Sequence, residues 1–210
     1  VSRFLRAICV LLPLIFAIAG FNARILADFW LENLVVFIAL LALALAYRSV
    51  PLSNGSWLMI FVFLCAHEYG AMYAYSNAPL GEWAKGWLHT DRNHYDRLVH
   101  LLYGLLITWP AIEACRKSGV RRPSLAAVQF ILATSAVYEI IEWIVAKIVA
   151  GDLADEFVGA QGDFFDSPED MAAALLGSLA VVLIVGLRRR GPVSTVPGAG
   201  PRGSAVKASD

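Results

Sequence analysis

Residues 31–47 read Leu-Glu-Asn-Leu-Val-Val-Phe-Ile-Ala-Leu-Leu-Ala-Leu-Ala-Leu-Ala-Tyr. From Leu34 to Ala46 there is no charge and no break. A run of this kind matches the hydrocarbon interior of a bilayer. Lipid offers no hydrogen bonds, so backbone groups must be satisfied within the segment. A continuous apolar run therefore means a helix, whereas a barrel strand would alternate over about ten residues. Five more such segments flank it, at about Leu5–Asn22, Trp57–Tyr75, Leu98–Cys115, Leu125–Ala150 and Met171–Leu187. The sequence predicts an all-α fold, a polytopic membrane helical bundle of about six transmembrane helices.

Composition agrees. Of 210 residues, 59% are hydrophobic and 16% charged, and mean hydropathy is +0.64. Soluble domains usually carry about 25% charged residues. Disorder is excluded and a soluble domain is disfavoured. Net charge is zero and no basic stripe is present, which argues against nucleic acid as a partner. Cys9, Cys65 and Cys115 each lie in apolar sequence and read as small hydrophobes, not a disulfide framework. Arg3 and Arg6 precede the first run, where Ala17-Ile18-Ala19 resembles a signal-peptidase site. That run is a cleaved signal or a retained span, and the remaining topology is the same either way.

Lys and Arg in short loops set orientation. Arg3, Arg6, Arg48, Arg116, Lys117, Arg121, Arg122 and Arg188–Arg190 fall on one side, against Arg24, Lys85, Arg92 and Arg97 on the other. Both termini are thus expected in the cytoplasm. Residues 1–187 form the bundle, and the Gly/Pro-rich residues 188–210 are expected to be a disordered cytoplasmic tail. Trp30, Trp57, Trp83 and Trp87 fall near expected interfaces. Leu80, Trp83, Trp87 and Leu88 share a face at helical spacing, predicting a short surface helix in the outer loop between spans three and four, although Gly81 and Gly86 weaken it. Ala173 and Gly177 form a small-xxx-small pair suited to close helix packing.

The acids are asymmetric. Of 17, only Glu113 and Asp210 fall on the cytoplasmic side, and seven crowd the stretch Asp152–Asp170. Span three contains His67-Glu68, and ionisable groups at such depth need partners or a task. Span five contains Tyr138-Glu139-Ile-Ile-Glu142-Trp143, whose glutamates share a face. Span four begins with His94-Tyr95-Asp96-Arg97-Leu98-Val99-His100, placing Asp96 and His100 four apart. Asp163, Asp166 and Asp170 have helical spacing on the approach to span six. Four segments thus deliver His and carboxylate groups to the outer half of the bundle. Imidazole and carboxylate are ligands of zinc, manganese and iron. Glu-x-x-His, the dimetal signature of helical bundles, is missing.

Plainer roles compete. His67 and Glu68 could pair with each other or bond a neighbouring helix. Glu142 could pair with Arg97 or Lys147. Asp166 and Asp170 could cap the sixth helix around Pro168, and His89 and Asp91 read as solvated. Three functions are open. In the first, a metal-dependent enzyme acts on a lipid or lipid-linked headgroup. Its catalytic residues would be Glu142, Asp96 and His100. Arg97, Tyr95 and Tyr138 would bind substrate. His67, Glu68, Glu139, Asp163, Asp166 and Asp170 would hold the metal. In the second, the polar core of a structural or accessory membrane protein fixes helix packing. In the third, an ion or solute transporter uses the acids as a relay. The acids stop in the outer half and no inverted repeat is seen, which counts against the third. Oligomeric state does not follow from the sequence.

Three stretches carry a family resemblance. These are Arg92-Asn93-His94-Tyr95-Asp96-Arg97-Leu98-Val99-His100 with Gly104, Tyr138-Glu139-Ile-Ile-Glu142-Trp143, and Gln161-Gly162-Asp163-Phe164-Phe165-Asp166 with Asp170-Met171. Over roughly residues 5–187 the chain resembles the YjdF-like bacterial inner-membrane proteins, a domain of unknown function. Phe164-Phe165 stands where an aromatic pair such as Phe-Trp is expected. The resemblance implies a multi-pass protein of the bacterial inner membrane and no particular reaction.

Overall fold

The computed structural model describes residues 2–149 and 161–189. Seven helices are found among the described residues: α1 (Arg3–Phe21), α2 (Leu26–Ala46), α3 (Asn54–Met72), α4 (Pro79–Leu88), α5 (Tyr95–Lys117), α6 (Pro123–Val149) and α7 (Asp166–Arg189). The fold is the all-α membrane bundle that the apolar runs predict. The Asp152–Glu156 part of the acidic stretch and nearly all of the 188–210 tail lie outside the described residues.

Local chemistry sets the helix starts. The Ser2 and Ser53 hydroxyls accept the backbone N–H groups of Leu5 and Ser56. Pro79 and Pro123 open α4 and α6, where a missing N–H costs nothing. The helices begin earlier than hydropathy marks them. α2 starts at Leu26 instead of Leu31, α5 at Tyr95 instead of Leu98, and α7 at Asp166 instead of Met171. In each case a buried acid near the helix start (Asp28 and Glu32 in α2, Asp96 in α5, Asp166 and Asp170 in α7) faces protein and not lipid, so it does not end the helix.

Five described helices, α1, α2, α5, α6 and α7, are long and apolar enough to cross a membrane. α3 matches α1 in length, with 19 residues, but His67 and Glu68 lower its hydropathy. It packs against α1, α2 and α5. Apolar side chains cover the outside: Phe37, Ile38, Leu41 and Leu45 on α2, Ile140 and Ile144 on α6, Leu179 and Leu183 on α7. A water-soluble protein of this size does not expose apolar surface so continuously; here lipid is the solvent.

α5 is the hub, contacting α3, α6 and α7. Its crossing with α7 is tight at Gly104. A Cβ there would collide with the Ala174 carbonyl, and one at Gly177 would meet the α5 backbone. The predicted Ala173/Gly177 pair thus has its counterpart in Gly104. Thr108 Oγ1 ties the crossing by donating to Gly104 O at 2.6 Å while sharing a hydrogen bond with Ser178 Oγ at 2.8 Å, for which the Ser178 hydroxyl supplies the proton.

The two ends of the bundle differ chemically. At one end Ser2 bonds Asn54, and Glu113 accepts from Ser53 and pairs with Lys117 at 2.8 Å. This end collects the basic loops. The other end collects the starts of α2, α5 and α7 and the ends of α3 and α6, and it holds the buried acids. α4 lies there too, with Leu80, Trp83, Trp87 and Leu88 exposed as the spacing predicts and the two indoles 5.8 Å apart. Gly81 is needed in α4, because a Cβ would strike the buried Asn93 side chain.

Candidate functional site

One turn of α5 separates Asp96 from His100 and places both on one inward face. α7 brings Asp170 alongside, and one donor atom from each of the three lies within 4.8 Å of the others. α6 adds Glu139, whose Oε1 is 3.3 Å from His100 Nε2; Asp96 Oδ1 is 3.8 Å from the same nitrogen. Ser135 faces the other imidazole nitrogen at 3.4 Å. All four residues are more than nine-tenths buried. Glu139 Oε1 has no hydrogen-bond partner among the described residues. Glu142, one turn along α6, is buried in the electrostatic reach of Asp96, Glu139 and Asp170.

A second layer joins α7 to the approach to α5. Arg97 reaches Glu169 at 2.7 Å, Asp163 at 3.2 Å and Asp166 and Asp170 at 3.4 Å. Arg92 pairs with Asp163 and Asp166. Asp163 sits in a turn before α7 and not on a helix, so the predicted i, i+3, i+7 face is not formed. Its Oδ1 accepts the Phe165 N–H at 2.9 Å. That bond, then Arg97, holds its carboxyl below the ordinary value. Just outside α5, burial and then Arg97 and Arg92 lower the His94 imidazole, disfavouring its cationic form. Buried Asn93 fastens the turn: its Nδ2 donates to Ala78 O and Glu82, while its backbone exchanges two hydrogen bonds with Gln161 at 2.9 Å. On α4, Lys85 and then Asn93 keep the Glu82 carboxyl below its usual range.

The third group lies across a cavity. His67 Nδ1 shares a 2.6 Å hydrogen bond with the Tyr75 hydroxyl. Tyr75 folds back from a turn in which Ala74 and Tyr75 both have positive φ, and its ring covers Gly70, where a Cβ would overlap it. His67 Nε2 is buried without a partner among the described residues, and His67 is one of the residues that line the cavity. Glu68 turns to Asn33 of α2. The cavity, about 210 Å³, is bounded by α2, α3, α5 and α6, with walls that include Val36, Leu64, Val99 and Tyr103, and ends on Asp96 and His100. Exposed Ala39 and Phe130 at its margin place its mouth on the lipid-facing side. Tyr138 closes the top by donating to Glu32.

The candidate residues therefore separate. Asp96, His100, Glu139 and Asp170 converge, with Glu142 beside them. Asp163 and Asp166 stand with the arginines. His67 lines the same cavity as Asp96 and His100, and Glu68 is hydrogen-bonded to Asn33. Tyr95 does not face the cavity: it is buried and donates to Ala66 O at 2.9 Å, joining α5 to α3. Arg97 is engaged by Asp163, Asp166, Glu169 and Asp170, and its pair with Glu142 is not formed among the described residues. Glu32 and Asn33 lie inside the predicted second span, at its polar start, but the sequence reading left them out of the site. The four-residue spacing of Asp28 and Glu32 was the available signal. Asn93 and Tyr75 had no signal beyond being polar near a span.

Glu32, Glu68, Asp96, Glu139 and Glu142 are buried without an ion pair to Lys or Arg among the described residues. Two ionised carboxylates 4 Å apart repel by about 4 kcal/mol even at an effective dielectric of 20. Such a cluster is neutralised by protons or by a bound cation. Fold and site together define a multi-pass membrane protein with a buried His/carboxylate cluster at one end of its bundle.

The chain belongs to the family described as "Predicted membrane protein (DUF2238)", whose model matches residues 4–191. It is 33% identical over 178 residues to the inner membrane protein YjdF of Escherichia coli (strain K12), covering 83% of this chain and 85% of that protein. No solved structure matches. The protein is a multi-pass protein of the bacterial inner membrane.

Proposed function

We propose that this protein is a metal-dependent membrane enzyme acting on the headgroup of a lipid or lipid-linked substrate. One observation carries the reading: the apolar cavity ends on Asp96 and His100, two of the three residues whose donor atoms cluster. An acyl or prenyl chain fits the walls, and its headgroup would lie against the cluster. The His-plus-carboxylate donor set suits zinc, manganese or iron. Asp96, His100 and Asp170 would be the ligands, with Glu139 completing the set or taking a proton from water. Asp96 and His100 thus move from acid–base roles to ligation. Bound metal would polarise an ester or phosphoryl oxygen and lower the pKa of water. His67 lines the cavity with its Nδ1 engaged by Tyr75, and its unpartnered Nε2 would be the hydrogen-bonding group for the substrate. The asymmetry of Lys and Arg supports a site on the outer side of the membrane, opposite the basic end.

A structural reading has its own support in the Arg92/Arg97 network, which ties α7 to α5 with no ligand needed. Elemental analysis separates the two. The protein is purified in mild detergent without chelator or metal column, then compared with His100→Ala and Asp170→Asn. Near-stoichiometric metal in the wild type, lost in both variants, is the expected result. No metal after incubation with zinc, manganese or iron, in folded protein, refutes the enzyme reading and leaves the structural one.

A further inference from the structure

At the opposite end of the bundle, a groove of about 370 Å³ runs between α3, α5 and α7. Met59, Leu105, Trp109 and Ile184 give it an apolar wall, and Arg116 and Arg188 stand in its lining. Arg116 is held in place, its guanidinium 5.4 Å from the Trp109 ring centre. Its Nε is buried and has no hydrogen-bond partner among the described residues. No ion pair is formed by Arg116 or Arg188 among those residues either. Glu113 is the one described carboxylate at this end, and it is engaged by Lys117, Ser53 and Ser56.

We propose that this groove binds an anionic glycerophospholipid, with its phosphate on Arg116 and Arg188 and an acyl chain along the apolar wall. A guanidinium with a buried, unpartnered N–H favours an anion, and its planar fork matches a phosphate. The trough beside it supplies what a free phosphate cannot use. Basic pockets between helices at one membrane face recognise anionic headgroups by this combination. The site is independent of the His/carboxylate cluster, which lies at the other end.

Thermal unfolding in detergent tests the assignment, with added phosphatidylglycerol, phosphatidylcholine or inorganic phosphate. Phosphatidylglycerol is expected to raise the midpoint by about 3 °C or more, by binding only the native state. Phosphatidylcholine and inorganic phosphate should not. The response should vanish in Arg116→Gln/Arg188→Gln and persist in Arg121→Gln/Arg122→Gln, whose arginines do not line the groove. If the first pair fails to fold, Arg188→Gln and Met59→Trp carry the test: one weakens the phosphate contact and the other fills the groove. Equal stabilisation by phosphatidylcholine, a matching effect of inorganic phosphate, or a full response in both Arg188→Gln and Met59→Trp overturns the proposal.

Discussion

Gly177→Ala is the sharpest test of how the bundle is held. A Cβ at this position on α7 would lie 2.5 Å from the Leu101 carbonyl oxygen and 2.8 Å from the Leu105 nitrogen, where ordinary contact begins at 3.4 Å. Both obstacles are backbone of α5 and cannot rotate aside. The helices must part by about 1 Å, which close small-residue packing cannot absorb. Overpacking of this kind costs about 1–3 kcal/mol. The Thr108–Ser178 hydrogen bond, one residue further on, would stretch as well and add about 1 kcal/mol. The expected loss is about 2–4 kcal/mol in total, against a gain of up to about 1 kcal/mol from the better helix propensity of Ala. Denaturant unfolding in mixed micelles, followed by helicity, gives the difference. Gly186→Ala is the control, because a Cβ there meets nothing within 4 Å; it should be neutral or slightly stabilising. Equal stability of the two variants would refute the close crossing. If α5 and α7 share a metal site, parting them should also weaken metal binding by Asp96, His100 and Asp170.

Tyr95→Phe should lose about 1 kcal/mol, for the hydrogen bond to Ala66, and keep its metal content; loss of metal would return Tyr95 to the site. Asp163→Asn keeps an acceptor for the Phe165 N–H and removes the charge. The folded carboxyl lies below its ordinary value of 3.8, so its charge stabilises the fold above that pH and ceases to as pH falls through the lower, folded value. The variant should therefore melt below wild type at pH 6 and the gap should close in acid below pH 3.8; a gap that survives full protonation would point elsewhere. Raised salt should narrow the same gap at pH 6, because Asp163 is partly exposed and its pairs are screened.

The apolar runs alone determined the membrane bundle, since backbone in lipid has one local way to satisfy itself, and that requirement is written residue by residue. Helix starts were less legible. Asp28 and Asp96 precede the apolar runs and look like loop residues by hydropathy, yet their helices enclose them, because burial depends on what packs opposite. Spacing along one helix showed that Asp96 would stack with His100, and Glu139 with Glu142. It could not show which α7 acid would join them. Asp163, Asp166 and Asp170 are alike in sequence, and only the α5–α7 crossing at Gly104 and Gly177 turns Asp170 toward His100 while leaving Asp163 to Arg92 and Arg97. Tyr95 and Tyr138 are equally ambiguous by type; one ties α5 to α3 and the other covers the cavity. Periodicity records which face of a helix a residue shares. The neighbour of that face is fixed by contacts between helices far apart in the chain, and tertiary structure alone decides it.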